Sequence, residues 1–517
     1  MPPISAVVPQ AAPAAPLPSG TGRRPARSGP VPPAAAVPLV PVLAALALGL
    51  WGLSRGHSLW RDEAATWQSA LRTVPEIWHM LGQVDAVHGL YYFFVHGLFT
   101  VFGDSTTTLR LPSVLAVAAA AGFTALTGAR TGGRWAGLAA GLTVALLPAM
   151  QFHAQEGRPY ALVTAGAAAS GWLLVRALDG PGPGRRPMWA GYGLLLLGCA
   201  LLNWFSLLVA AAHAATLAWV RADRALLRRW AAAVACAVAG ALPLVLFSRS
   251  QSGQVSWIPP TTWHTLAGPG ALLLAGGACA LVRGPRAGRP AAPAVGLPLL
   301  VVPQLALLAA SLAKPLYLER YVLFSMLGLA LLAGHALGAL VRATARRSPR
   351  AAALVVPVAA LAAFAALLPL ERAERAPGSR ADDVFAVAGE VAAAKRPGDA
   401  VLFLPAARRD TALVSPEAFA GVADIALVRT PAESGTLKGV EGSQGRLRVA
   451  MLGRQRILLV TDARPRLPGN ALDRLKLRVL RQHFRVETDL SVRGRRLTVY
   501  ERLPGQRDGD SHRMSGT

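Results

Sequence analysis

Residues 36–63 read AVPLVPVLAALALGLWGLSRGHSLWRDE. The first part is an apolar run ending near Ser54, about the length that crosses a ~30 Å hydrocarbon core. The second part closes on Trp60-Arg61-Asp62-Glu63. Two adjacent carboxylates just past such a run place charge at the lip of a membrane bundle. Ionisable side chains are costly there and are functional candidates by default.

The same kind of run recurs at 111–129, 136–154, 161–178, 189–203, 205–220, 230–247, 266–282, 294–312, 321–341 and 351–370. A soluble chain of 517 residues would be far more charged than 15%. The expected class is an α-helical polytopic membrane protein with about eleven transmembrane helices. A formal charge of +26 would suggest nucleic acid in a soluble chain. Here the arginines sit mainly between apolar runs and in the last third, so no nucleic-acid partner is expected. Cys199, Cys236 and Cys279 lie inside apolar runs and read as small buried hydrophobes, with no disulfide or zinc spacing.

Basic clusters occur at Arg130/Arg134, Arg185/Arg186, Arg221/Arg224/Arg228/Arg229, Arg283/Arg286/Arg289 and Arg342/Arg346/Arg347/Arg350. The positive-inside rule makes them cytoplasmic. All five share one side only if the apolar run 88–102 does not cross and lies on or in the outer leaflet. The N-terminus is then inside, the C-terminus outside, and the expected location is the plasma membrane. Residues 1–35, rich in Pro and Ala, read as a disordered cytoplasmic tail. Residues 36–370 form the membrane domain, and 55–110 the first outer loop, with apolar residues at helical spacing over 71–81. Beyond Leu370 charge rises. A helix over 381–395, strands over 400–404 and 456–461, a helix over 471–484 and a strand over 497–500 predict a small extracytoplasmic α/β domain, 381–503. No acidic cluster in it is expected to face the bundle. Residues 493–496 read as a solvated or headgroup-facing surface. A polar tail, 504–517, follows.

Five motifs line up on this topology. They are Trp60-Arg61-Asp62-Glu63, Asp85-Ala86-Val87-His88-Gly89-Leu90-Tyr91-Tyr92, Leu109-Arg110-Leu111-Pro112-Ser113, the stretch from Phe152 through Gln155-Glu156-Gly157-Arg158 to Leu162, and Glu319-Arg320-Tyr321. Their series resembles the GT-C-fold glycosyltransferases over roughly 36–341, and most of all the protein mannosyltransferase-like group, glycosyltransferase family 39. The resemblance implies transfer of a sugar, mannose in that group, from a polyprenyl-phosphate donor to a protein or lipid hydroxyl, with inversion. It implies Asp62 as base, Glu63 in a positioning role and Glu156 as an arranger of donor or acceptor. Arg320, Arg158, Tyr321 and Arg110 would hold the donor phosphate. Asp85, His88, Tyr91, Gln155 and Trp257 would meet acceptor or sugar. No obligatory metal is implied, although oxygen ligands would suit magnesium or manganese. Two departures stand out. Relatives with His-Pro-Pro have His88-Gly89-Leu90 here, which frees φ where proline fixes it. Relatives with Glu-Ala-Arg have Glu156-Gly157-Arg158, which keeps the charges.

The residues support the chemistry independently. Neighbours on a helix point about 100° apart, so only one of Asp62 and Glu63 is expected to reach a substrate. A carboxylate in reach of a hydroxyl can take its proton. A guanidinium before a span can grip phosphate with paired bonds where charge develops. The competing readings are a polyprenyl-lipid transporter or flippase, and a non-catalytic binder of lipid-linked sugar. Transporters place polar residues near the midplane, whereas here charges gather at one lip and the span centres are Leu, Ala and Val.

Overall fold

The computed structural model describes residues 31–178, 185–251, 258–284, 290–464 and 469–504. Most of the two expected tails, and Trp257, lie outside the described residues. The bundle begins with α1 (Ala36–Leu50), followed by α2 (Arg61–Ala70), α3 (Val74–Gln83) and α4 (Gly89–Phe102). The capping box of Thr73 and Glu76 starts α3. Then come α5 (Thr106–Gly132), α6 (Arg134–Leu146), α7 (Pro148–Ala154), α8 (Tyr160–Leu178), α9 (Arg185–Leu202), α10 (Leu208–Trp219), α11 (Arg224–Ser250), α12 (Trp263–Ala280), α13 (Ala292–Ala313), α14 (Met326–Ala345) and α15 (Pro349–Glu374). A 3-10 turn, Glu319–Ser325, leads into α14.

Among the described residues six helices are long and apolar enough to cross a membrane: α5, α8, α11, α13, the stretch Glu319–Ala345, and α15. A seventh is counted if α6 and α7, bent by 58°, form one span. Pro148 at the start of α7 explains the bend, because it offers no N–H to the preceding ladder. The remaining expected runs fall on α1, α9, α10 and α12, which are shorter or less apolar. Chain packing relies on small residues that let backbones approach. A Cβ on Gly137 would lie 2.4 Å from the Ala125 carbonyl oxygen, and one on Gly334 would lie 2.4 Å from that of Ala136. These contacts lock α6 against α5 and α14. Of the three cysteines only Cys199 is buried; Cys236 is exposed on α11 and Cys279 is partly exposed, so the expectation of three buried cysteines is corrected.

The C-terminal region contains α16 (Val384–Ala394), β1 (Ala400–Leu404), α17 (Asp410–Val414), β2 (Ala423–Asp424), β3 (Leu427–Arg429), α18 (Pro431–Ser434), β4 (Val440–Glu441), α19 (Gln444–Leu452), β5 (Arg456–Asp462), α20 (Ala471–His483), β6 (Phe484–Val492) and β7 (Arg495–Arg502). Five strands form one sheet in the order β2-β1-β5-β7-β6. β2, β1 and β5 are parallel, and β7 and β6 run antiparallel to their neighbours. Both sheet faces are covered, so β1 is buried throughout. Leu402 and Leu459 pack with Leu475 and Val479 of α20 on one face. Val401 and Leu458 pack with Val387 and Val391 of α16 on the other.

Candidate active site

Asp62 and Glu63 lie in the first turn of α2, and of the two Glu63 is the buried one. Glu63 is wholly buried. It accepts bonds from Arg55 Nη2 at 2.6 Å, from Arg110 Nε and Nη2 at 2.7 Å each, and from the Gly157 N–H at 3.0 Å. Burial opposes ionisation, but Arg110 and Arg55 outweigh it and hold the carboxyl at about 2. Arg110 also donates to the carbonyls of Leu53 at 2.8 Å and Ser58 at 2.6 Å. It is fully buried and its guanidinium is committed to these internal partners, so Arg110 does not meet a donor phosphate. Glu63 likewise is not in reach of substrate. The pair fastens the segment before α2 to α5 and to the α7–α8 corner.

Asp62 is partly exposed. Its Oδ2 accepts from Arg320 Nη1 at 3.0 Å. Arg320 stands in the turn before α14, with its guanidinium carbon 5.8 Å from the Tyr160 ring centre and 5.9 Å from that of Tyr321. Arg158 reaches the same place from the α7–α8 corner. Its Nη1 donates to the Asp62 carbonyl and to Thr66 Oγ1, both at 3.3 Å. Its Nη2 lies 3.0 Å from His88 Nε2. A guanidinium only donates, so His88 Nε2 accepts, and Nδ1 carries the hydrogen toward Asp85 Oδ1 at 2.7 Å. Asp85 also accepts from the Tyr92 hydroxyl. Burial opposes its ionisation, but the contact with His88 and the field of Arg158 push its carboxyl well below the usual range. Gly89 opens α4 with an ordinary helical φ of −54°, so the freedom expected of glycine there is not used.

Other expected site residues stand apart from Asp62. Glu156 is buried, with Oε2 2.8 Å from His153 Nδ1 and Oε1 3.4 Å from Arg380 Nε. Burial opposes its ionisation; His153 and then Arg380 outweigh that and lower it. Its role is to tie the α7–α8 corner to the C-terminal region, not to meet substrate. Gln155 donates to the carbonyls of Gly49 at 3.0 Å and Trp51 at 2.7 Å, stapling α7 to α1. Tyr91 is wholly buried beside Trp67 and Leu109. Gly157 allows no Cβ, because one would lie 2.3 Å from Leu109 Cγ. That packing accounts for glycine between Glu156 and Arg158.

A cavity of about 260 Å³ is lined by Tyr160 and Tyr321, the rings beside Arg320, by His88, the partner of Arg158, and by Asn203, Trp204, Phe205, Ser248, Arg249 and Lys314 among others. Arg249 and Lys314 are exposed cations here that the motifs do not include. A signal for them existed: both lie on the carboxylate-bearing side, against the alternation of basic loops. Gln251 fixes one wall, accepting from the Ala86 N–H and donating to the Leu81 carbonyl, each at 3.0 Å. Among the described residues no three His, Cys, Asp or Glu side chains converge as metal ligands.

The C-terminal region grips the segment that carries Asp62. Asp382 accepts from Arg61 Nε at 3.0 Å and from the Arg61 N–H at 3.0 Å. It also pairs with Arg495, which is fully buried and bonds Asp410 as well. Asp383 caps α16 through the Ala386 N–H, accepts from the Leu59 N–H at 3.3 Å and pairs with Arg493 at 2.8 Å. Phe385 stacks on His57 at 4.8 Å and meets Trp67 edge-on. The expectation that no acidic cluster faces the bundle is therefore corrected. The surface expected over 493–496 is corrected at Arg495, whose charge is neutralised inside. Asp382→Asn is expected to cost about 1–3 kcal/mol, since it weakens the bonds that buried Arg495 and Arg61 make to a charged partner. Thermal unfolding measures it, with limited proteolysis between Glu374 and Asp383 as the local readout. An unchanged melt and cleavage pattern would remove the clamp from the account.

No protein-family model matches this chain, and no curated protein matches it in sequence. Solved structures do share its architecture. ArnT from Cupriavidus metallidurans in the apo state is 14% identical, with a TM-score of 0.56 over 89% of this chain and 97% of that one. The same protein bound to undecaprenyl phosphate is 15% identical, at 0.52 over 90% and 98%. The archaeal oligosaccharyltransferase AglB from Archaeoglobus fulgidus, in complex with an inhibitory peptide and a dolichol-phosphate, is 12% identical, at 0.50 over 83% and 69%. The fold is the GT-C glycosyltransferase fold. The chain is a multi-pass membrane protein with a small C-terminal α/β layer.

Proposed function

We propose that this protein is an inverting glycosyltransferase that moves a sugar from a polyprenyl-phosphate donor to a protein or lipid hydroxyl. The sugar class is mannose by the sequence resemblance. The observation that carries the reading is the Asp62–Arg320 pair, 3.0 Å apart, beside a cavity whose wall holds Arg249 and Lys314. Binding of undecaprenyl phosphate and dolichol-phosphate by proteins of the same fold supports the donor class, and the peptide bound to AglB supports a protein acceptor. The donor's isoprenoid tail would lie among the helices, with its phosphate at the cavity mouth. The site would face the extracytoplasmic side of the plasma membrane, since the basic loops argue for a cytoplasmic N-terminus.

In this scheme the donor phosphate draws Arg320 away from Asp62, with Arg249 and Lys314 adding charge. The acceptor hydroxyl attacks the sugar's anomeric carbon from the face opposite the phosphate. The new C–O bond forms as the bond to phosphate breaks. The electron pair leaves with the phosphate, where the cations stabilise it, and the hydroxyl proton passes to Asp62. Arg158, held by His88 and Asp85, supports the Asp62 backbone. No obligatory metal enters, because guanidinium and ammonium groups supply the positive charge. The transporter reading is weaker, as these charges sit at one end of the bundle and not along a midplane path.

Arg320→Lys is expected to lower donor turnover by about 10–100-fold, because lysine cannot reproduce paired bonds to phosphate. The assay follows a labelled polyprenyl-phosphate sugar with protein of matched thermal stability. Unchanged turnover would leave Arg320 as an interface cation. The function itself is tested by mass spectrometry of surface glycoproteins and glycolipids from a deletion strain. Loss of one defined hexose modification is the expected result. An unchanged inventory of glycans would reject the assignment.

A further inference from the structure

Asn203 stands where one apolar run ends and the next begins, and it has no part in the transfer step. Trp204 and Phe205 follow it in a 3-10 turn between α9 and α10. Only 9% of Asn203 is exposed, yet it lines the cavity of about 260 Å³ that also holds Tyr160 and Tyr321. Its main chain is satisfied, since the N–H donates to the Cys199 carbonyl at 2.8 Å and the carbonyl accepts from the Ser206 N–H at 2.9 Å. Its Oδ1 accepts from the Phe205 N–H at 3.2 Å, which fixes the way the amide is turned. That leaves Nδ2, with two hydrogens to give, and it has no hydrogen-bond partner among the described residues. The same holds for the hydroxyls of Tyr160, which is 3% exposed, and of Tyr321. Other polar groups of the wall are engaged. Ser248 gives its hydroxyl to the Val245 carbonyl at 2.8 Å, both ends of the Gln251 amide are bonded, and His88 lies between Asp85 and Arg158.

Buried polar groups are as a rule hydrogen-bonded to protein, water or ligand. An isoprenoid tail filling this space would leave all three unpaired, which is costly. The cavity, at about 260 Å³, is also smaller than the ~300–1,000 Å³ that encloses a drug-sized ligand. A single sugar ring suits that space and a long chain does not. The wall offers such a ring both surfaces it needs. Phe205 stacks between Trp204 at 4.0 Å and Tyr321 at 5.0 Å, which makes an apolar side. Asn203, Tyr160 and Tyr321 supply the few directed polar groups that fix orientation in a largely apolar pocket. None of the described lining residues is acidic, whereas Arg249 and Lys314 are cationic, so an ammonium-bearing sugar finds no countercharge. Given the sugar transfer proposed above, we infer that this cavity seats the donor's sugar as an uncharged ring, and that Asn203 determines specificity by donating from Nδ2 to one of its hydroxyls.

The test assays the purified full chain in lipid with polyprenyl-phosphate mannose, with analogues that each lack one ring hydroxyl, and with an amino-sugar donor. Asn203→Asp and Asn203→Ser both remove the two amide hydrogens and keep an oxygen for the Phe205 N–H, as both residues cap helices well. The wild type is expected to lose about tenfold in kcat/KM on one analogue, and at least as much on the amino sugar. Variants of matched thermal stability are expected to use mannose and that analogue equally well. The ratio of the two donors cancels any general effect of the new charge in Asn203→Asp. Wild-type discrimination retained in the folded variants would overturn the role of Asn203, and so would wild-type transfer with no loss on any analogue. Transfer from the amino sugar as readily as from mannose would overturn the uncharged ring. Absence of transfer from every donor would instead reject the proposed reaction itself, and the role of Asn203 with it.

Discussion

Asp62→Asn is expected to lower sugar transfer by about 10²–10⁴-fold with donor binding largely kept, the range that a positioned base contributes. Asparagine keeps the size of the side chain and an oxygen that can accept from Arg320 Nη1, but it cannot take the hydroxyl proton. Asp62 fits the role because it is the exposed member of the pair. It stands at the start of a helix fixed on one flank by Glu63 and on the other by Asp382. Glu156→Gln is expected to cost much less in turnover, since Glu156 is buried against His153 and Arg380. The comparison uses purified protein in lipid and a labelled donor. Near-normal transfer by Asp62→Asn, with loss in Glu156→Gln, would exchange the two roles.

Glu63→Ala is expected to destabilise the protein by about 3–5 kcal/mol, the cost of leaving buried charge without its partner. Arg55 and Arg110 are both fully buried and both depend on this one carboxylate. The adjacent carboxylates thus separate cleanly: one substitution lowers turnover at preserved stability, the other lowers stability. Thermal unfolding in detergent measures it, and a melt within experimental error of wild type would refute the clamp. The pH dependence has a definite sign. Glu63 is held at about 2 in the folded protein, below the value of about 4.3 for an unperturbed glutamate. Its contribution is therefore present above about pH 4.3 and is lost as pH falls through about 2.

The sequence limited the choice between Asp62 and Glu63 without making it. Helical spacing requires that they diverge, but the residues that bury Glu63 are Arg55 and Arg110, joined to it only by tertiary packing. Arg110 shows the converse. A charged residue at the start of a span reads as a phosphate ligand, and only its contacts with Leu53, Ser58 and Glu63 show that it faces inward. The buried strands β1 and β5 were legible because both sheet faces are covered, which leaves β1 wholly apolar and gives β5 the apolar run Ile457-Leu458-Leu459-Val460. β6 was not, since Phe484–Val492 is mostly exposed and polar. It is an edge strand held by its ladder to β7 and by cross-strand pairs such as Arg485–Glu501. Arg495 sits in an arginine-rich segment that reads as surface, and it is buried because Asp382 and Asp410 meet it from distant positions.

Sugar transfer is proposed to occur at the Asp62–Arg320 pair. Its most direct test is reconstitution of the purified chain in vesicles with a polyprenyl-phosphate hexose labelled in the sugar and a hydroxyl acceptor, with products separated by mass. Label is expected to appear on the acceptor with inverted anomeric configuration, with polyprenyl phosphate released in equal amount, and Asp62→Asn is expected to slow both by about 10²–10⁴-fold. Movement of intact labelled lipid across the bilayer, with no cleavage of the sugar–phosphate bond, would contradict it.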